Sequence, residues 1–389
     1  MLNYESVLNN RITEIQPSGI RKFFDIAATM EDVISLGVGE PDFETPWKIR
    51  NAAIMSLEGG KTSYTSNRGL APLREEISAY LRRKYSLSYE PKSEILVTVG
   101  GSEAIDAAVR SVVNDGDEVI IPQPSYVCYV PMVLMAGGVP VIIRNKAEND
   151  FKLTAAELRE KITPKTKAII LPYPSNPTGA IMEKADYEEI EKLISGTDII
   201  LISDEIYSEL TFNGKHHVSP ASVGNLRERT IVINGFSKAF SMTGWRLGYV
   251  CAPKEIIAQI TKLHQYSIMC APTTSQYAAI TALRDCDMDV EAMIEEYDMR
   301  RKLMVYGFNE IGLECREPEG AFYVFPSIQS TGMTSEEFCE KLLEEERVAL
   351  VPGTAFGECG EGYVRASYCY STDHIKTAIE RTGNFLKKL

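Results

Sequence analysis

The sequence predicts an α/β protein built on a mostly parallel β-sheet flanked by helices, and three observations predict it. Short apolar runs rich in branched residues recur at 95–99, 118–121, 139–143, 167–171, 199–203, 230–233 and 247–252. Runs that are apolar throughout, with little polar alternation, mark strands covered on both faces, which is the habit of parallel sheets. Between several of them the apolar spacing becomes that of a helix, as at 186–193. Finally, clusters of Gly, Pro, Asn, Asp and Tyr follow the runs. In such sheets function collects beyond the carboxyl ends of the strands.

Near the N-terminus Ile20, Phe23, Phe24, Ile26 and Ala27 stand at roughly helical spacing. Residues 34–46, with Gly37, Gly39, Pro41 and Pro46, read as a loop whose backbone can be approached closely. A helix with Pro at its start is predicted over 46–57 and a polar loop over 64–69. An amphipathic helix over 71–84 carries Leu73, Ile77, Tyr80 and Leu81 on one side. The run 95–99 ends at Gly100-Gly101-Ser102 and is followed by a helix over 103–114. Strand, glycine turn and helix start together can hold an anion, because the first N–H groups and the helix dipole face it. The same residues also serve as plain helix caps. A long helical pattern covers 290–309.

The bulk composition narrows the function. A chain of 389 residues, at about 150 residues per domain, predicts two domains. A net charge of -13 argues against a nucleic-acid partner, which calls for clustered Lys and Arg. Arg82-Arg83 and Arg300-Arg301 are interspersed with Glu and read as solvated helix faces. No apolar run approaches the roughly 20 residues that span a bilayer, and residues 1–11 lack the apolar core of a signal peptide. The eight cysteines form no C-x-x-C pair, which suits free thiols in a reducing, cytoplasmic setting. Four histidines with no H-E-x-x-H and no G-x-S-x-G argue against a zinc enzyme or a serine hydrolase; no metal is expected.

The clusters after the runs carry the chemistry. Pro124-Ser125-Tyr126 follows 118–121, and Pro172-Tyr173-Pro174-Ser175-Asn176-Pro177-Thr178-Gly179 follows 167–171. Ser203-Asp204-Glu205-Ile206-Tyr207 closes 199–203. Asn234-Gly235-Phe236-Ser237-Lys238-Ala239-Phe240-Ser241-Met242-Thr243-Gly244-Trp245-Arg246-Leu247-Gly248-Tyr249 joins the last two runs. One by one these allow ordinary readings: a turn Asn, a capping Asp, a packing Tyr, a solvated Lys. Together they assemble an anion cradle, a carboxylate, an aromatic plate and an amine able to act as a nucleophile toward a carbonyl.

In this order S-N-P-T-G, S-D-E-I-Y and S-K-A-F-S-M-T-G-W-R-L-G-Y resemble the class I and II aminotransferases that use pyridoxal 5′-phosphate, most closely their aspartate/aromatic branch. The likeness runs from about Ser18 to Arg365. It implies a fold type I enzyme with a large domain over 47–284 and a smaller α+β domain from 1–46 together with 285–389. It implies Lys238 as the Schiff-base and proton-moving lysine, Asp204 at the pyridine nitrogen, and Asn176 and Tyr207 on the ring 3′-oxygen. Tyr126, where many relatives have Trp, would stack on the ring. Gly101, Ser102, Glu103, Ser237 and Arg246 would take the phosphate, although Gly235 stands where some relatives place a further Ser. Tyr64 would reach the phosphate of a neighbouring subunit, so a homodimer with a shared site is implied. Arg365, in Tyr363-Val364-Arg365-Ala366-Ser367-Tyr368, and Gly39 would hold the substrate α-carboxylate; from the residues alone, Arg365 also reads as a surface ion-pair arginine.

The substrates implied are a small amino acid and a 2-oxo acid, the acceptor being 2-oxoglutarate. Residues 266–277 hold no Arg or Lys, whereas the aspartate enzymes of the best-known branch place an Arg in this segment. Arg110 could serve from another direction, or be a surface helix arginine. The opening Ser18-Gly19-Ile20-Arg21-Lys22-Phe23-Phe24-Asp25 is similar to that of aromatic and broad-range members. The expectation is therefore an aromatic or broad-range aminotransferase. The alternatives are an aspartate aminotransferase, a C–S β-lyase or ring-closing synthase on the same fold, and a non-catalytic regulator, for which a match beginning near residue 18 leaves no room for a DNA-binding module.

Overall fold

The structure is a computed structural model that describes residue 2, residues 4–17, residue 19 and residues 30–389. The helical patch at 20–27 and the aromatic-like opening at 18–25, Gly19 apart, lie outside the described residues. Among the described residues there are twelve strands: β1 Ile34–Ser35, β2 Ile95–Thr98, β3 Glu118–Gln123, β4 Val139–Arg144, β5 Thr166–Leu171, β6 Ile200–Asp204, β7 Thr230–Gly235, β8 Gly248–Cys251, β9 Tyr323–Val324, β10 Val348–Ala349, β11 Val351–Pro352 and β12 Val364–Ser367.

Strands β2 to β8 form one seven-stranded sheet in the order β2-β8-β7-β6-β5-β3-β4. Every pairing is parallel except those of β8, which runs antiparallel to both β2 and β7. The run at 247–252 was expected as another strand of a largely parallel sheet, yet it is reversed. No helix lies between β7 and β8, and a parallel return needs a crossover of a dozen or more residues, usually helical. The reversal has a consequence for the site. Residues just before β8 lie at the same sheet edge as the residues just after its neighbours, since Gly248 pairs with both Thr98 and Gly235.

Helices cover both faces of the sheet. Gly100–Val112 and Lys254–Ser267 pack on one side with Ile105, Val109, Ile257 and Ile260 inward. Lys184–Ile194 packs on the other, with Tyr187 and Ile190 fully buried. The helix of the glycine turn spans Gly100–Val112, so Gly101, Ser102 and Glu103 form its first turn.

The remaining strands draw the chain ends together. β1 pairs with β10 in parallel, and β9, β12 and β11 form a three-stranded antiparallel sheet. Ser367 N–H donates to Leu36 O at 2.7 Å, tying the N-terminal loop to β12. The helix Asp287–Glu310 spans this part and carries a correction. Arg300 and Arg301 are not solvated; both are buried, Arg301 completely. Arg301 donates to Asp298 Oδ1 at 2.6 Å and Glu317 Oε1 at 2.7 Å, and Arg300 to Asp42 at 2.8 Å and Glu296 at 2.8 Å. Arg82 and Arg83 are exposed as expected.

Candidate active site

A cavity of about 340 Å³ opens where the carboxyl edge of the seven-stranded sheet meets the N-terminal loop and β12. Gly39, Gly101, Ser102, Tyr126, Asn176, Asp204, Tyr207, Ser237, Lys238, Arg246 and Arg365 all line it. The loops after β2, β3, β5, β6 and β7, and the residues before β8, bring most of them together. Two of the expected residues do not line it. Tyr64 is 82% exposed on the outside of the chain. Glu103 turns its carboxylate away, onto Val99 N–H and onto His264 Nδ1 at 2.5 Å.

At one end the cavity favours an anion. Gly101 and Ser102 open the helix, and Ser237 and Arg246 line the cavity with them. Gly100 has φ +73°, and a Cβ there would sit 2.6 Å from Arg246 Nη2. Glycine is thus what lets the guanidinium lie against the helix start. Arg246 itself is left-handed, with φ +49°, a conformation an L-residue adopts at a cost of about 1–2 kcal/mol. Strain of this kind persists where the surroundings hold it in place, often at functional sites. Trp245, for which the sequence suggests only a turn, donates from Nε1 to Thr45 Oγ1 at 3.0 Å.

In the middle lie an amine and a carboxylate. Asp204 ends β6 with Oδ2 accepting from Tyr129 Oη at 2.8 Å and Oδ1 from Ile206 N–H at 3.2 Å. Burial pushes its pKa up to about 6, the hydrogen bond from Tyr129 pulling the other way. Lys238 Nζ donates to Gly39 O at 2.7 Å and lies 5.5 Å from the centre of the Phe322 ring. Burial lowers this amine to about 8. A lysine so placed is an uncharged nucleophile far more often than a solvated one.

At the far end Arg365 is buried, 2% exposed. The reading of Arg365 as a surface ion pair is therefore overturned. Its Nη1 donates to Asn176 Oδ1 at 2.8 Å and its Nη2 to Gly37 O, while Nε is buried with no partner. The guanidinium is stacked between Tyr323, at 4.4 Å, and Phe356, at 4.8 Å. Among the described residues it makes no ion pair. Burying a charge without a counter-charge is costly, so an anion entering this end would find an unpaired guanidinium. Gly39, expected to turn its backbone to that carboxylate, uses its carbonyl for Lys238.

Sequence reasoning missed Tyr129 and Tyr323. Tyr129 stands three residues after Tyr126 at the start of the helix Tyr129–Met135, and the two rings meet edge-on with centres 6.0 Å apart. Tyr323 lies in β9 and carried no motif signal. Arg110 pairs with Asp106 at 2.8 Å on an exposed face and stays outside the cavity.

The family model described as aminotransferase class I and II matches residues 31–381. The chain is 52% identical to a putative aminotransferase, YugH, of Bacillus subtilis, covering 98% of this chain and 99% of that one. It is 47% identical to an aspartate aminotransferase of Pyrococcus abyssi, covering 98% of each chain. Among solved structures, an aromatic aminotransferase from Pyrococcus horikoshii superposes with a TM-score of 0.90 at 46% identity, covering 94% of this chain and 99% of that one.

Proposed function

The chain belongs to the class I and II aminotransferases, and we propose that it moves the amino group of an aromatic or broad range of L-amino acids to a 2-oxo acid, with 2-oxoglutarate as the acceptor. Enzymes of this family depend on pyridoxal 5′-phosphate. The cavity suits that group on three counts. A fork and a helix start wait for an anion, a buried carboxylate waits for a cationic ring nitrogen, and a low-pKa amine lies between them. When bound, the cofactor supplies an electron sink for charge developing at the substrate Cα.

The residues then divide the work. Gly101, Ser102, Glu103 through its backbone, Ser237 and Arg246 hold the phosphate, and Tyr126 covers the ring. Asp204 holds the ring-nitrogen proton; its charge is kept above about pH 6, and a cationic partner extends that range downward. Asn176 and Tyr207 hold the 3′-oxygen. Arg365, with Gly39 beside it, holds the substrate α-carboxylate in a planar fork. Lys238 binds the cofactor and moves a proton on or off the substrate Cα.

The cations of the cavity carry the substrate reading. Among the described residues lining it these are Lys238, Arg246 and Arg365. Once chemistry, phosphate and α-carboxylate have used them, the described residues lining the cavity offer no further cation to a side-chain carboxylate. An uncharged, often aromatic, side chain is therefore favoured. The names of aspartate aminotransferases among the relatives favour a second reading, with aspartate as donor. The test is the half-reaction. Holoenzyme is mixed with one amino acid and no acceptor, and the visible cofactor band is followed. Phenylalanine and tyrosine bleach it; bleaching by aspartate and not by phenylalanine or tyrosine establishes the second reading. Pyruvate or ammonia released without an acceptor identifies a β-lyase.

The working unit in this proposal is a cytoplasmic homodimer. Tyr64 and Met269 are exposed, as are Trp47, Ile54, Met55 and Leu57 on the helix Trp47–Glu58. The loops of Asn67 and Met269 are hydrogen-bonded at 2.8 Å. A second copy would cover these side chains and receive Tyr64 at its phosphate. The segments 1–46 and 285–389 form one moving unit and 47–284 the other, closing over the substrate. No helix among the described residues is long and apolar enough to cross a membrane.

A further inference from the structure

Tyr323 joins two parts of the cavity that no contiguous motif connects. Its hydroxyl lies 2.9 Å from that of Tyr207, and its ring lies 4.4 Å beneath the Arg365 guanidinium. The same hydroxyl occupies the space a Cβ at position 39 would need, so Gly39 is the residue that admits it. Tyr323 is buried, stands in β9 and pairs with Ser367 of β12, the strand that carries Arg365. Tyr207 belongs to the other side of the cavity, three residues beyond the end of β6. The tyrosine–tyrosine bond therefore bridges the two sides of the site.

We infer that Tyr323 is a positioning residue that donates its hydroxyl proton to Tyr207 and thereby fixes the direction in which Tyr207 donates. A phenol has one proton to give and lone pairs to receive. If Tyr207 gives its proton to the ring 3′-oxygen, its oxygen is left to accept, and Tyr323 is the donor in place. Hydrogen bonds in such a chain polarise one another in a buried site, so each strengthens the next. The inference rests on Tyr207 holding the 3′-oxygen. A stronger donor there stabilises the ionised ring oxygen and eases loss of the proton from the nitrogen contributed by Lys238. The Tyr323 ring also stacks on the arginine that meets the substrate carboxylate, so a carboxylate drawn to Arg365 acts on the same chain of hydroxyls.

The experiment is a pH titration of the visible absorption band of the holoenzyme, without substrate, for wild type, Tyr207→Phe, Tyr323→Phe and the double variant. Phe at 323 keeps the ring against Arg365 and removes only the hydroxyl. The expected midpoint for Tyr323→Phe is higher than wild type by about half to one pH unit, the size of one net hydrogen bond. Tyr207→Phe moves it further in the same direction, and adding Tyr323→Phe to Tyr207→Phe adds nothing, because the chain is already cut. An unmoved or lowered midpoint in Tyr323→Phe, with Tyr207→Phe raised, overturns the relay alone. Equal shifts from Tyr323→Phe in both backgrounds also overturn it. An unmoved midpoint in Tyr207→Phe removes the assignment of Tyr207 and the relay with it.

Discussion

Arg301 and Arg365 are both buried arginines, and their surroundings could hardly differ more. Arg301 is saturated: Asp298 and Glu317 neutralise it, and Pro318 O and Asn213 Oδ1 take further donors at 3.0 and 2.8 Å. Arg365 has neutral oxygens, two aromatic faces and an unpartnered Nε. Lys238 belongs with Arg365, since its partner is the neutral Gly39 carbonyl. The comparison teaches that burial alone does not mark a functional cation. A cation whose counter-charge is built in holds the fold together; one whose counter-charge is missing is prepared for a ligand.

Removing a cation of each kind tests the comparison. The largest effect is expected for Lys238→Ala, a loss of turnover of about 10⁴-fold or more with the thermal midpoint kept or raised, measured by steady-state assay and calorimetry. A variant that keeps its turnover would return Lys238 to the ordinary solvated class. Next comes Arg301→Ala, which empties a fully buried site and leaves Asp298 with Lys302 as its cation, at a cost of about 2–5 kcal/mol of stability. Denaturant unfolding reads that loss, while kcat/KM per folded molecule stays at the wild-type value; a selective fall in kcat/KM would break the contrast.

Arg365→Lys replaces a planar fork by a point charge. The expected fall in kcat/KM is about 100-fold, with stability near wild type. A variant that unfolds readily yet binds substrate normally would place Arg365 with Arg301. The smallest test is a pH profile. In the cofactor-free protein the Lys238 amine titrates near 8, because burial disfavours its charged form. An amine-selective label read by mass spectrometry should therefore reach half its plateau rate on Lys238 near pH 8, rising with pH as the proton leaves. A half-point at the ordinary lysine value of 10.5 would show a solvated amine.

Much of this site is legible along the chain. Lys238, Ser237 and Arg246 lie in one stretch, and Gly101 and Ser102 in another, because a strand followed by a tight turn needs small residues in fixed order. Asp204 ends its strand and Asn176 and Tyr207 follow theirs, at the carboxyl edge where such sheets gather their site residues. What was not legible depends on partners far away in sequence. Tyr129 reaches Asp204 across 75 residues and Tyr323 reaches Tyr207 across 116. The Arg300-Arg301 pair looks like a solvated stripe because two of its four carboxylates, Asp42 and Glu317, come from other segments.

The sequence by itself determined the mostly parallel sheet, the glycine turn before the helix, and the residues placed after each strand. These follow from local sterics and from the period of apolar side chains, which neighbours in the chain impose on one another. Tertiary structure alone decided the reversal of β8 that carries Arg246 to the carboxyl edge, the pairing of β1 with β10 that brings Gly39 to Lys238, and the unequal fates of Arg301 and Arg365. An arginine has the same side chain wherever it stands. Whether its charge is hydrated, neutralised or left waiting is a property of what the fold puts around it.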